Sequence, residues 1–268
     1  MDDDRSEIHS SIEKNIEPSV FRAILQRIEK ENEGRLKLLL DERNRPPLKV
    51  ATLHGRSELA KVLLEFGANP LLKDKFSNLA VHTAAEYDQV EVLKVLLEYD
   101  KDLIEILSSD EWSPLLCAMY HTSKNAVTYM LEHHNPQCFA WNQECSGLGF
   151  ETHPVYFAAF VNFAENSEGE CYTNGEMIRM LLQSGCPPEH NGEHFIIHAA
   201  RTTDVIDMPE RTVDIMRNLV EHSNPSRNDL MRAKEIVEET QCLVANDEER
   251  ENIIQVLSYL DYVLSDST

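Results

Sequence analysis

The chain has 268 residues, enough to bury a substantial core in one large domain or two small ones. Its 47 acidic side chains outnumber 25 basic ones and leave a formal net charge of −22. Such a field repels phosphate backbones and anionic lipid, so direct nucleic-acid binding is not expected, whereas a basic partner is.

The N-terminal Met1-Asp2-Asp3-Asp4-Arg5 is followed by no apolar run of the kind a secretory leader needs. No uncharged stretch approaches the roughly 18 residues that a membrane span requires. The six cysteines are scattered without paired spacing and read as reduced thiols. The expected setting is cytoplasmic or nuclear, with no membrane insertion.

In chain order, residues 1–16 are expected to be loosely ordered and acidic. Residues 17–45 read as an N-terminal helical cap or degenerate repeat. Val20, Phe21, Ile24, Leu25 and Ile28 lie on one helical face, and a second helix near Glu33–Arg43 carries Leu36, Leu38, Leu39 and Leu40. Two registers compete there, because Gly34 precedes Gly67 by one repeat length while Leu38-Leu39-Leu40 imitates a second helix.

Residues 46–224 repeat themselves. Pro47-Leu48-Lys49-Val50-Ala51 and Val62-Leu63-Leu64 recur as Ala80-Val81-His82-Thr83-Ala84-Ala85 and Val95-Leu96-Leu97, then as Pro114-Leu115-Leu116-Cys117-Ala118 and Tyr129-Met130-Leu131. The steps from residue 47 to 80 and from 80 to 114 are 33 and 34 residues. Two further copies open at Pro154 and Phe195 and carry Met180-Leu181-Leu182 and Asn218-Leu219-Val220. The opening and the central second-helix residue lie 16 apart in the first three copies (47 to 63, 80 to 96, 114 to 130). They lie 27 and 24 apart in the last two (154 to 181, 195 to 219). Insertions at Asn162–Gly175 and Thr202–Thr212 account for the difference, and long loops of this kind are functional or disordered. The small pairs Ala84-Ala85, Ala158-Ala159 and Ala199-Ala200 let helices approach closely, and Gly67 and Gly185 stand where a helix stops. Beyond the repeats, residues 225–268 read as a C-terminal cap of two helices, Asn228–Thr240 and Asn246–Leu264. The second opens on an Asn246/Glu249 capping box and carries a core-facing stripe of Ile253, Leu257, Leu260 and Leu264. A docking helix is the alternative reading of that stripe.

On these residues the chain resembles the ankyrin-repeat family, whose unit opens on Thr-Pro-Leu-His-x-Ala-Ala and closes on Gly-Ala-Asp. The full opening occurs in no copy, and Asp100, His134 and Ser223 replace the closing glycine in three. The resemblance implies an all-α solenoid of stacked helix–turn–helix units with short hairpin loops and helical terminal caps. It also implies a protein-interaction role rather than catalysis, with partners held by hairpin tips and by the exposed inner face of each first helix. At the tip positions stand Phe76, Asp110, Trp112 and Phe150, together with Arg45 and Glu193. At the inner-helix positions stand His54, Glu86, Tyr87, Tyr120 and His121, together with Leu53 and Arg201. Tyr87, Trp112 and Tyr120 are the expected centre of the grip, since interfaces concentrate energy in aromatic anchors.

No catalytic, cofactor or metal site is expected. The group His133, His134, Cys138, Cys145 and His153 matches no common zinc spacing, and the Cys186, His190, His194, His198 series is interrupted by Pro187 and Pro188. No phosphate-cradling glycine loop, Gly-x-Ser-x-Gly elbow or His-Glu-x-x-His pair occurs. The expected function is an intracellular adaptor or inhibitor that binds a basic partner. The alternatives are an acidic nucleic-acid mimic that blocks a DNA- or RNA-binding protein, and a regulatory scaffold subunit of a larger complex.

Overall fold

The computed structural model describes residues 2–42, 44–73, 78–108, 111–134, 153–160, 173–190, 192–201, 209–243 and 247–266. Two units make up the chain, Met1–Ala140 and Trp141–Thr268.

In the first unit, helices alternate between two rows. The inner row holds α1 (Asp2–Glu13), α4 (Pro47–Leu53), α6 (Ala80–Glu86) and α8 (Pro114–Tyr120). The outer row holds α2 (Pro18–Glu31), α5 (Ser57–Glu65), α7 (Val90–Tyr99) and α9 (Lys124–His133). Each helix packs on its partner in the other row and on its neighbours in its own. The remaining α-helix, α3 (Glu33–Leu40), stands in the connection between α2 and α4. Pro47 and Pro114 start their helices at the first position, where a missing N–H costs nothing. The small residues Ala51, Ala84, Ala85 and Ala118 are fully buried where the inner helices meet. Leu63, Leu96 and Met130 fill the space between outer helices. Each such burial contributes about 1.5–3 kcal/mol.

Every inner helix of the regular copies ends on one left-handed residue: Gly55 (φ 65°), Asp88 (φ 54°) and Thr122 (φ 56°). Gly55 carries no strain, and a β-carbon there would run into the Gln89 side chain. Asp88 tolerates the conformation and uses its carboxylate to cap the next copy. It accepts from the Ala126 N–H and from Asn125 Nδ2, each at 2.7 Å. Ser123, at the N-cap of α9, gives its hydroxyl instead to Glu86 O at 2.8 Å. Neighbouring copies are therefore joined by polar bonds as well as by apolar packing.

The N-terminal residues correct the expectation of loose order at 1–16. Asp2–Glu13 is a helix, with Ile8 and Ile12 fully buried. The Asp4 carboxylate, in its first turn, suits the positive end of the helix dipole. Asp4 pairs with Arg35, Arg45 Nη2 with Glu13 at 2.6 Å, and His9 Nε2 lies 2.8 Å from Arg45 O. The pair that stacks on the first regular copy is thus α1/α2. The second helix expected near Glu33–Arg43 is a separate element that buries Leu36 and Leu40 and leaves Leu38 exposed. Of the expected face of α2, Phe21, Leu25 and Ile28 are buried, while Val20 is exposed.

The second unit also has two rows. Its inner helices are α10 (Pro154–Phe160), α12 (Phe195–Arg201) and α14 (Arg227–Leu243), and its outer helices are α11 (Asn174–Gln183), α13 (Pro209–Ser223) and α15 (Asp247–Asp266). A two-residue hairpin, β1 (Glu189–His190) with β2 (Glu193–His194), precedes α12 and turns through Gly192 at φ 78°. Thr173 and Glu176 form a capping box that starts α11. Residues 173–175 of the first expected insertion therefore belong to the helix start, and α13 begins at Pro209, inside the second. Residues 162–172 and 202–208 of the insertions lie outside the described residues, as do Cys138, Cys145 and Asn246. Across the last pair, Ile253, Val256 and Leu260 are buried, so the stripe of α15 faces the core with Val256 taking the place expected for Leu257. The two final helices continue the two rows.

Candidate protein-binding surface

The ends of the inner helices in the first unit project side chains from equivalent positions. Leu53 and His54 end α4, Glu86 and Tyr87 end α6, and Tyr120 and His121 end α8. The left-handed residue that follows each pair turns the backbone away and leaves them outside the core. Tyr87 is 52% exposed and Tyr120 50%, unusual for rings of that size in positions framed by buried alanines.

Trp112 joins this row from the loop before α8. Its backbone is fixed on both sides: Trp112 N–H donates to Ser108 Oγ at 3.2 Å, and Trp112 O accepts from Ser108 N–H at 2.9 Å. The same carbonyl lies 2.9 Å from His82 Nε2 in the preceding copy. The half-buried indole meets Tyr120 edge to face at 4.9 Å, and Tyr120 meets His121 at 5.1 Å in the same manner. His121 Nε2 reaches the Glu86 carboxylate at 4.0 Å, across the boundary between two copies. That carboxylate also lies beside Tyr87 and, with partial burial, raises the phenol above its ordinary value. Glu86 is thus flanked by Tyr87 on its own helix and His121 on the next. The array can stack on planar groups, and it offers a carboxylate to a cationic side chain.

Of the residues expected to bind, the structure brings together Trp112, Tyr120, His121, Glu86 and Tyr87, and leaves His54 exposed one copy earlier. Phe76, Asp110 and Phe150 lie outside the described residues. Two further positions are engaged internally: Arg45 with Glu13, and Arg201 with Glu193 through two guanidinium nitrogens. Glu193 also lies beside His198 and Arg232, and the hydrogen-bonded Arg201 guanidinium above all holds its carboxyl below the usual range. His194, at the end of β2, uses Nδ1 to accept from Ile196 N–H at the start of α12, with Nε2 2.9 Å from Ser223 Oγ. His194 and His198 of the Cys/His series thus make contacts within the repeat, and no group of three potential metal ligands occurs among the described residues.

Sequence reasoning missed an aromatic group on the outer row. Tyr129 stacks on His133 at 4.7 Å, and Lys94 Nζ stands 5.6 Å from the Tyr129 ring centre. The i, i+4 spacing of Tyr129 and His133 was the available signal. Among the described residues, no helix is long and apolar enough to cross a membrane.

Comparison with known proteins agrees with this architecture. Residues 48–140 match the family model for ankyrin repeats, in three copies. Among solved structures, the ankyrin repeat domain of Bcl-3 is 18% identical, with 86% of this chain and 97% of that one covered at a TM-score of 0.62. The human ASB11 ankyrin repeat domain is 16% identical, with 92% and 96% covered at 0.53. The ankyrin repeat protein EF0377 is 15% identical, with 81% and 98% covered at 0.56. Ankyrin repeats are in general protein–protein interaction modules, a non-enzymatic fold. With paired helices in both units and the family's repeat across residues 48–140, the chain has the ankyrin-repeat fold and carries ankyrin repeats over those residues.

Proposed function

We propose that this protein is an intracellular adaptor or inhibitor that grips a Lys/Arg-rich segment of another protein. The grip lies along the inner-helix ends and loop tips of the first unit. The observation that carries the reading is the Trp112–Tyr120–His121 array beside Glu86 and Tyr87, exposed on successive copies. Aromatic rings supply the anchors, and the carboxylate, set in a chain of net charge −22, supplies steering toward cations. The similarity to the domain of Bcl-3, a member of the IkappaB protein family, is in keeping with an inhibitor or adaptor role. The buried free thiol of Cys186 suits a reducing compartment.

The test is an array of Lys/Arg-rich peptides, with Asp/Glu-rich ones as controls, probed with the full chain and with the Tyr87→Ala/Trp112→Ala variant. The expected result is selective capture of basic peptides that weakens with salt and falls at least about tenfold in the variant, at unchanged Tm. Equal capture by the variant refutes the assignment of this surface.

A further inference from the structure

At one end of the second unit, the last turns of α13 and α15 enclose a cleft of about 440 Å³. Val220 and Val263 give it an apolar floor, and Tyr259 and Tyr262 an aromatic wall. Tyr262 is 64% exposed and Tyr259 half-buried; burial, with the Glu221 carboxylate nearby, pushes the Tyr259 phenol up to about 12. Glu221 and Asp266 stand at the rim, and neither has an ion-pair partner among the described residues. The cleft also sits where helices end, and a helix C-terminus presents partial negative charge from its unbonded carbonyls. The last turn of α15 holds no basic residue of its own, and Arg227 reaches one of its carbonyls, Leu264 O, at 3.3 Å. The lining includes a single cation, Arg217, whose guanidinium lies over Tyr259 at 6.0 Å and leaves the Tyr262 ring open. Two carboxylates against one guanidinium leave a negative, ring-walled cleft. An aliphatic stem fits such a floor and a positive head fits such a rim.

We infer that this cleft receives a lysine or arginine side chain of a protein partner, stacked on Tyr262 and held by Glu221 and Asp266. The inference shares with the proposed function the reading that the partner is basic, but it concerns a different surface on a different unit. An Arg head lays its plane on the Tyr262 face and can pair with a carboxylate through two N–H groups, whereas a Lys head meets the same ring and carboxylates as a point charge. Arginine therefore binds more tightly than lysine.

The experiment follows the tyrosine ring signals of the full chain, carbon-13 labelled, by NMR. The probes are acetyl-Gly-Arg-Gly-amide and acetyl-Gly-Lys-Gly-amide, with Gln- and Glu-centred tripeptides as controls. A single cationic side chain is expected to bind with a Kd on the order of 1 mM and to shift Tyr259 and Tyr262 saturably. Tyr262→Ala and Glu221→Gln/Asp266→Asn are surface changes whose fold is checked by Tm. Each is expected to weaken the Arg peptide at least about fivefold, the first read at Tyr259. Absence of saturation, an equal response to the Gln peptide, or unchanged affinity in both variants overturns the proposal. So does preference for the Glu peptide, which would assign the cleft to an acidic group held by Arg217. Tyr87→Ala/Trp112→Ala leaves this titration unaltered. Failure here alongside intact peptide capture by the first unit therefore overturns the cleft alone.

Discussion

Acidification tests the interlock between copies at one residue, His82. Its ring is 1% exposed, and Nε2–H donates to Trp112 O at 2.9 Å. Burial disfavours the imidazolium and lowers the pKa from 6.5 to about 4, outweighing the hydrogen bonds that favour the charged form. The folded value lies below the unfolded one, so the unfolded chain takes up the proton first. The stability owed to the neutral ring is complete above pH 6.5 and is lost as pH falls toward 4. In the acid limit the loss is about 3 kcal/mol, and between pH 7 and pH 5 it is about 2 kcal/mol. The comparison is wild type against His82→Gln, which keeps an N–H donor but cannot titrate. Urea unfolding at the two pH values is followed by Trp112 emission with Trp141 replaced by Phe. Wild type is expected to lose about 2 kcal/mol more than the variant on acidification, whatever their relative stability at pH 7. Equal losses in the two proteins would refute the reasoning, because carboxylates and the other histidines are common to both.

Three other perturbations follow from the backbone and from α1. Thr122 is β-branched at φ 56°, so Thr122→Gly is expected to raise stability by about 1 kcal/mol, seen as a higher urea midpoint at unchanged m-value. Asp88→Ala removes the cap on Ala126 N–H and is expected to cost about 1–2 kcal/mol, whereas Asp88→Asn, which keeps an acceptor and tolerates the left-handed backbone, recovers most of it in the same assay. Ile12→Ala opens a cavity under α1 and is expected to cost about 2–4 kcal/mol in urea unfolding; a change within ±0.5 kcal/mol would mean that α1 does not dock.

The repeat itself was legible because two independent patterns coincide. The Ala84-Ala85 pair marks where helices cross closely, and the Leu63, Leu96 and Met130 positions recur at a fixed distance from each opening. The inner-helix end positions follow from that register, which is why Glu86, Tyr87, Tyr120 and His121 could be named from sequence. Helix α1 escaped notice for a physical reason. Its Asp-rich start resembles an acidic tail, and its buried apolar face consists of Ile8 and Ile12, with Asp4 paired to Arg35 and Glu13 to Arg45 beside it. Those partners lie some thirty residues away in sequence, where periodicity cannot reach. Arg201 and Glu193 illustrate the opposite failure: positions correct for a binding role are neutralised by each other, which only three dimensions reveal. The cleft of Tyr259 and Tyr262 likewise depends on α13 and α15 ending together.

The Asp88 carboxylate and the Ser123 hydroxyl bind two copies into one cooperative unit. Ala126 N–H, near the start of α9, is satisfied by a side chain that reaches its position only after α6 has ended in its left-handed turn. Helix α9 is therefore incomplete until the copy before it is in place, and α6 in turn has the carbonyl of its last residue, Glu86, satisfied by the Ser123 hydroxyl at the start of α9. In a stack whose stability is a sum of units and nearest-neighbour terms, such a reciprocal pair of bonds strengthens the term between these two copies and makes them open and close together.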